Sequence, residues 1–234
     1  MQAAETFRGI GLFAGMSDDD REALVARCRF RNYEPGEMIV DANEASNDLR
    51  IVLAGEVRVV VRMIEGREVI FNDFGQGQFF GEIAAIDGGV RSANVSARSR
   101  CRIAIVPRPV LRELCDRQPT VAWALMEHLA TLVRHLSVRL SEFSFLKAKH
   151  RLCAELMRQS RPRAGHEDQR IISPVPRQVD IADRIASRRE IVSREMKALE
   201  RAGILLRERG GLVIVAPHRL EALIEEGWTG RGDG

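Results

Sequence analysis

Hydrophobic positions along the chain change period twice. From about Cys28 to Val106, short Val- and Ile-rich segments (37–40, 49–53, 56–63, 68–71 and 101–106) alternate with Pro-Gly, Asn, Gly-Glu and Gly-Gln signals. Turn residues at Pro35-Gly36, Gly55, Gly66, Gly75 and Gly77 suit an antiparallel roll or small barrel. Ahead of this region, Met16-Ser17-Asp18-Asp19-Asp20 reads as a turn and helix start after a short N-terminal helical stretch.

After Pro107 the period becomes helical. Val121, Leu125, Leu129, Leu132, Leu136, Leu140 and Phe143 recur at steps of four or three, drawing one apolar stripe down a long helix over about residues 118–145. That stripe needs a partner, either the roll of the same chain or the same helix of a second copy. Its length favours a homodimer packed as in a coiled coil. A second helix, His150 to Gln159, leads into the polar loop Ser160 to His166 and a short extended piece at Ile171-Ile172. The domains expected are therefore 1–146, a roll with its long helix, and 147–234, with a hinge between Phe143 and Lys149.

Arg177 to Ala202 reads RQVDIADRIASRREIVSREMKALERA. Val179, Ile181, Ala182 and Ile185 make one short apolar face, and Val192, Met196 and Leu199 another. Ser187-Arg188-Arg189-Glu190 between them matches the S-x-x-E capping box, which predicts two helices joined by a tight turn. Arg188, Arg189, Glu190, Ser193, Arg194 and Lys197 lie off the apolar face of the second helix. They form either a solvated surface or a face that enters the major groove, with arginines on guanine edges and the carboxylate accepting from cytosine. The segment Leu205 to Val215 reads as a hairpin turning at Gly210-Gly211, with Arg207 and Arg209 at its tip. This is a wing that would make binding salt-dependent through phosphate contacts.

The net charge of +3 conceals an asymmetry: 18 Lys and Arg face 13 Asp and Glu from Lys147 onward, and 18 face 20 before it. Such a basic excess favours a polyanionic partner or is simply a solvated surface. No apolar run approaches the roughly 18 residues of a membrane span, and the N-terminus lacks a signal-peptide pattern, which together predict a cytoplasmic protein. Cys28, Cys101, Cys115 and Cys153 are scattered without a C-x-x-C and read as single buried thiols. His128, His135, His150, His166 and His218 show no metal-ligand spacing, and His128 and His135 read as surface residues. No G-x-S-x-G, P-loop or H-E-x-x-H appears, so no enzyme is expected.

One stretch, GEIAAIDGGVRSANVSARS over residues 81–99, puts a glutamate and an Arg-Ser pair around a short apolar turn. The bland reading is a Glu82–Arg91 ion pair closing that turn. Taken with the order of roll, long helix and winged helix-turn-helix, however, Phe79-Phe80-Gly81-Glu82-Ile83-Ala84 and Arg91-Ser92-Ala93 resemble the phosphate-binding cassette of the cAMP receptor protein family of bacterial transcription regulators. The resemblance runs from about Phe13 to Val215, and Arg189-Glu190 with Arg194 is similar to the R-E-x-x-x-R pattern with which such proteins read TGTGA-like half-sites.

The resemblance implies an α+β fold and a cAMP or cGMP ligand without a metal. Arg91 would meet the phosphate, Ser92 would add a hydroxyl donor, and Glu82 would accept from the ribose 2′-hydroxyl. Backbone N–H groups of Gly81, Glu82, Ile83 and Ala84 would face the anion. It further implies allosteric control of a homodimer on palindromic double-stranded DNA and a contact with RNA polymerase. Two positions depart from the pattern. Leu136, followed by Ser137, stands where relatives carry a base-contacting threonine, which leaves the base open. Ala186 replaces the usual glycine of the helix-turn-helix turn. A constitutive DNA binder of the same fold, or one answering to another effector such as a cyclic dinucleotide, is the alternative. Only Cys28 lies near the N-terminus, so a four-cysteine cluster there is excluded.

Overall fold

The computed structural model describes residues 6–42, 44–62 and 68–230. The turn expected at Gly66, the end of the strand expected to reach Met63, and the final RGDG lie outside them. The chain divides into two compact units, Met1–Val133 and Arg134–Gly234.

The first unit opens with a 3-10 turn, Gly11–Phe13, and helix α1, Asp18–Val25. Ser17 caps α1, its hydroxyl oxygen accepting from the Asp20 N–H at 3.1 Å, and three aspartates fill the positive end of the helix dipole. Among the described residues eight strands follow: β1 (Arg29–Tyr33), β2 (Met38–Val40), β3 (Leu49–Ala54), β4 (Val57–Arg62), β5 (Glu68–Phe74), β6 (Phe79–Phe80), β7 (Asn94–Ala97) and β8 (Cys101–Val106). They pair antiparallel in two sheets, ordered β1-β8-β3-β6 and β2-β7-β4-β5. Val52, Ile103, Ile105, Val57, Val59, Val95 and Phe80 fill the space inside the roll.

Strand β3 is buried on both faces. Leu49 and Ile51 face the outer helices, packing with Phe7, Phe13, Leu111, Val121 and Leu125. By the period of two, Arg50 shares the inward face of Val52. Helix α2 (Glu82–Asp87) interrupts the strands between β6 and β7, and α3 (Arg108–Arg117) leads into the long helix α4 (Pro119–Phe145).

The second unit takes up the end of α4 and adds α5 (Ala148–Gln159), β9 (Arg161–Arg163), β10 (His166–Ile172), α6 (Gln178–Arg184), α7 (Arg189–Arg201), β11 (Leu205–Glu208), β12 (Gly211–Ile214) and α8 (Pro217–Thr229). Its four strands order as β11-β12-β10-β9. Leu152, Leu156, Ile181, Val192, Met196, Leu212, Ile214 and Leu220 form its core, each large aliphatic side chain contributing about 1.5–3 kcal/mol by burial. The segment read from sequence as a polar loop after Ser160 instead contains strand β9. It is an edge strand, the one place where Pro162 removes no needed ladder bond.

The division between units falls inside α4, and the end of α4 is tied by charge to α5. The Glu155 carboxylate, 1% exposed, accepts from Arg139 at 3.2 Å and from Gln159 at 2.7 Å, pairs with Arg158, and lies 3.9 Å from Arg184. Arg158 also pairs with Glu142 at 2.5 Å. Arg139 donates to the Arg184 carbonyl, and Arg151 donates through Nε to the Ile185 carbonyl at 3.1 Å. Both guanidinium groups lie over the Phe143 ring, at 5.4 and 5.5 Å.

Two stability measurements follow from this unit. Glu155→Ala leaves the half-buried Arg139 and Arg184 without their carboxylate and should cost about 1.5–3 kcal/mol in urea unfolding. Ala186 sits in the left-handed region, with φ 47°, and is exposed, so Ala186→Gly should raise stability by about 0.5–1 kcal/mol in the same assay.

Candidate ligand site and nucleic-acid interface

The cassette forms around one buried cation. Arg91 is 5% exposed, and its guanidinium is held by neutral acceptors. Nε donates to Ser46 Oγ at 3.1 Å, Nη1 to the Gly81 carbonyl at 3.1 Å and Nη2 to the Asp48 carbonyl at 2.8 Å. A guanidinium has five N–H groups, so two are without a partner among the described residues. Burial, and after it the neighbouring charge of Arg50, lower the Arg91 pKa, while Glu44, Asp48 and Glu82 act in the opposite direction.

Gly81 caps α2 in the left-handed conformation, φ 80°. A Cβ there would meet Arg91 Nη1 at 2.4 Å. Only glycine meets both the backbone demand and the clearance.

Glu82 is 8% exposed and does not ion-pair with Arg91. Its carboxylate instead lies 3.8 Å from His128 Nε2. That removes the reading of a turn closed by a Glu82–Arg91 bridge. It also corrects the expectation of a surface His128: the ring is half-buried and packs on Phe79 with centroids 4.4 Å apart. His135 is exposed. Around the same turn, Ala84 is buried, Ile83 and Ser92 are exposed, and Gly81 is half-buried. Leu136 and Ser137 lie exposed on the part of α4 that belongs to the second unit.

The sequence reading missed Arg50. It is 5% exposed, donates to the Ile39 carbonyl at 2.7 Å, and approaches Ser46 Oγ at 3.3 Å and Glu44 at 3.5 Å. The available signal was an arginine within LRIVLA, a strand otherwise apolar. Ser46 carried no signal, because its role arises from the folding of a loop onto two distant strands.

In the second unit, α6 and α7 form the expected pair of helices, but the capping box does not form. The Ser187 N–H bonds back to the Ala182 carbonyl, and Arg188, extended at φ −98° and ψ 145°, is the N-cap without a side-chain bond. The left-handed Ala186 sets this later start. Arg188, Arg189, Glu190, Arg194 and Lys197 are exposed, and Ser193 is half-buried. Among the described residues Arg194 bonds only to its neighbour Glu195, at 2.9 and 3.0 Å.

The β11–β12 hairpin turns at Arg209-Gly210, one residue earlier than read, with Gly210 at φ 93°. Gly211 lies within β12, where a Cβ would meet Ile171 at 2.7 Å. Arg209 is exposed at the tip, whereas Arg207 is paired with Glu200 at 2.7 Å.

Burial pushes the Cys28 and Cys153 thiols up to about 12, so neither supplies a thiolate near neutral pH. Among the described residues no group of three His, Cys, Asp or Glu could hold a metal ion, and no helix is long and apolar enough to cross a membrane.

Residues 30–118 match the cyclic nucleotide-binding domain, and residues 150–223 the Crp-like helix-turn-helix domain. The chain is 29% identical over 185 residues to the cAMP-activated global transcriptional regulator CRP of Pasteurella multocida, covering 78% of this chain and 88% of that protein. It is 27% identical to the cAMP-activated global transcriptional regulator Vfr of Pseudomonas aeruginosa, covering 79% and 88%. Among solved structures, the c-di-GMP responsive global regulator CLP of Xanthomonas campestris superposes with a TM-score of 0.68 at 21% identity, covering 81% of this chain and 94% of that one. A roll matched as a nucleotide-binding domain, a winged pair of helices matched as a DNA-binding one and relatives aligned along most of the length place the chain in the cAMP receptor protein family of DNA-binding transcription regulators.

Proposed function

We propose that this chain acts in the cytoplasm as a homodimeric regulator whose roll binds a cyclic nucleotide and thereby controls operator binding. The observation that carries this reading is Arg91, a buried cation with, among the described residues, no carboxylate hydrogen-bonded to it and two N–H groups unassigned. In this reading those groups pair with the phosphate oxygens. The exposed Ser92 hydroxyl donates beside them, backbone N–H groups of Gly81 to Ala84 line the anion, and Glu82 accepts from the ribose 2′-hydroxyl. cAMP is the first ligand to test, since the relatives aligned above are cAMP-activated. Leu136 in place of threonine keeps cGMP beside it, with Ser137 as the neighbouring polar group. Cyclic di-GMP, to which the Xanthomonas neighbour responds, is the third probe.

Dimerisation is supported by α4. Met126, Val133 and Leu140 recur at seven residues and are 51%, 60% and 68% exposed, with Leu129, Leu136 and Phe143 at the alternate positions. This is the a/d spacing of a two-stranded coiled coil. Such a dimer presents two copies of α7 to half-sites about one helical turn, roughly 34 Å, apart. Arg189, Glu190 and Arg194 would then read base edges of a TGTGA-like palindrome. Arg188, Ser193, Lys197 and Arg209 would hold the backbone. RNA polymerase is the expected further partner of the DNA-bound dimer.

Arg91→Ala should lower affinity for the bound nucleotide at least roughly tenfold in calorimetry and abolish ligand-stimulated operator binding; a variant that keeps full stimulation removes the phosphate role. Wild-type protein that binds its operator equally with and without every probe would establish the constitutive alternative. Arg194→Ala should reduce discrimination at one base pair by about 1–3 kcal/mol in a competition assay, with the melting temperature little changed because Arg194 is exposed and bonds, among the described residues, to its neighbour Glu195. Unaltered selectivity would count against that contact.

A further inference from the structure

Ser46 lies in the loop between β2 and β3, half-buried beside two buried guanidinium groups. Its oxygen accepts from Arg91 Nε at 3.1 Å and from Arg50 Nη2 at 3.3 Å. A hydroxyl oxygen has two acceptor sites, and both are filled. The proton of the same hydroxyl has no acceptor among the described residues.

Two cations on one oxygen withdraw electron density from it and strengthen the O–H as a donor. They also fix its direction, since the remaining tetrahedral position points away from both guanidinium groups. Arg50 itself is incompletely served: its Nε is buried without a partner, and among the described residues its only carboxylate ion-pair partner is Glu44 at 3.5 Å. The charge around Ser46 is thus positive on two sides, beside the cation that the proposed reading places on the phosphate. An anionic oxygen is the acceptor that both the free proton and the local charge call for.

We propose that Ser46 is a ligand-binding residue whose hydroxyl, held by Arg50 and Arg91, donates to one exocyclic phosphoryl oxygen of the bound cyclic nucleotide. The inference rests on the reading of the roll as a cyclic-nucleotide site. Arg50 acts through Ser46: it fills the acceptor capacity that would otherwise let the hydroxyl turn.

The test is calorimetry on the full chain with cAMP and cGMP, followed by the two phosphorothioate diastereomers of the nucleotide that binds, each carrying sulfur at one exocyclic position. Ser46→Ala should weaken the oxo nucleotide roughly ten- to a hundredfold. It should weaken far less the one diastereomer that already places the poorer acceptor, sulfur, against residue 46. Ser46→Thr should restore affinity to within about threefold. Should the alanine variant melt well below wild type, Ser46→Cys, nearly the same size with a weak donor, should show the same diastereomer-selective loss. Affinity unchanged in Ser46→Ala overturns the proposal while leaving the site intact. A loss equal for the oxo ligand and both diastereomers also overturns it, by showing that Ser46 only scaffolds Arg91. Wild-type protein that binds neither nucleotide overturns the underlying reading and the Ser46 contact with it.

Discussion

A guanidinium sunk in a protein interior must be compensated, and the roll compensates Arg91 without cancelling it. Removing such a charge from water costs several kcal/mol, and charge-assisted hydrogen bonds offset about 1.5–3 kcal/mol each. The Ser46 hydroxyl and the Gly81 and Asp48 carbonyls supply three of them. Because these acceptors are neutral dipoles, the field of the cation persists where a carboxylate would have quenched it. Much of the local structure follows. The loop before β3 must bring Ser46 and Asp48 inward, α2 must begin with its first carbonyl toward the arginine, and residue 81 must lack a Cβ.

Glu82 fits the same logic from the opposite sign. Had it paired with Arg91, the two would have formed a closed, self-satisfied turn. Instead it turns toward His128 on α4, which leaves acceptor and cation separately available and ties the cassette to the outer helix layer through the Phe79–His128 contact.

The parts of this fold legible in the sequence are those where one period dominates. β2, β3, β8 and α4 are strongly apolar at fixed spacing, and residues 81–92 and α7 carry their charged residues in the pattern on which the family resemblance rests. What escaped reading depends on partners far along the chain. β1, RFRNY, is mostly exposed and shows no apolar alternation because it is an edge strand. β9 is three residues long and contains a proline. The capping box at Ser187 was locally sound but lost to a turn geometry set by Ala186. Arg50 was hidden because an inward-facing charge in an apolar strand makes sense only once the second arginine and Ser46 are in place. The long stripe on α4 was correct in period but mixed in destination: Val121 and Leu125 enter the core of the first unit, while Leu136 and Leu140 remain exposed.

The charged cluster around Glu155 has a different character, since it joins secondary elements rather than shaping a pocket. Arg139, from the last turns of α4, and Arg151, from α5, hold consecutive backbone carbonyls at residues 184 and 185, just where α6 ends and the chain bends toward α7. The geometry of that bend is therefore written partly in a helix that sequence reading would assign to the other domain. Anyone excising the DNA-binding part for separate expression would be led by the loop at 146 and 147 to cut there. A fragment starting at Lys147 would carry Glu155 into its interior without Arg139, and the carbonyl of Arg184 without its donor. A piece that keeps these contacts begins upstream of Arg139, inside what looks like an uninterrupted rod.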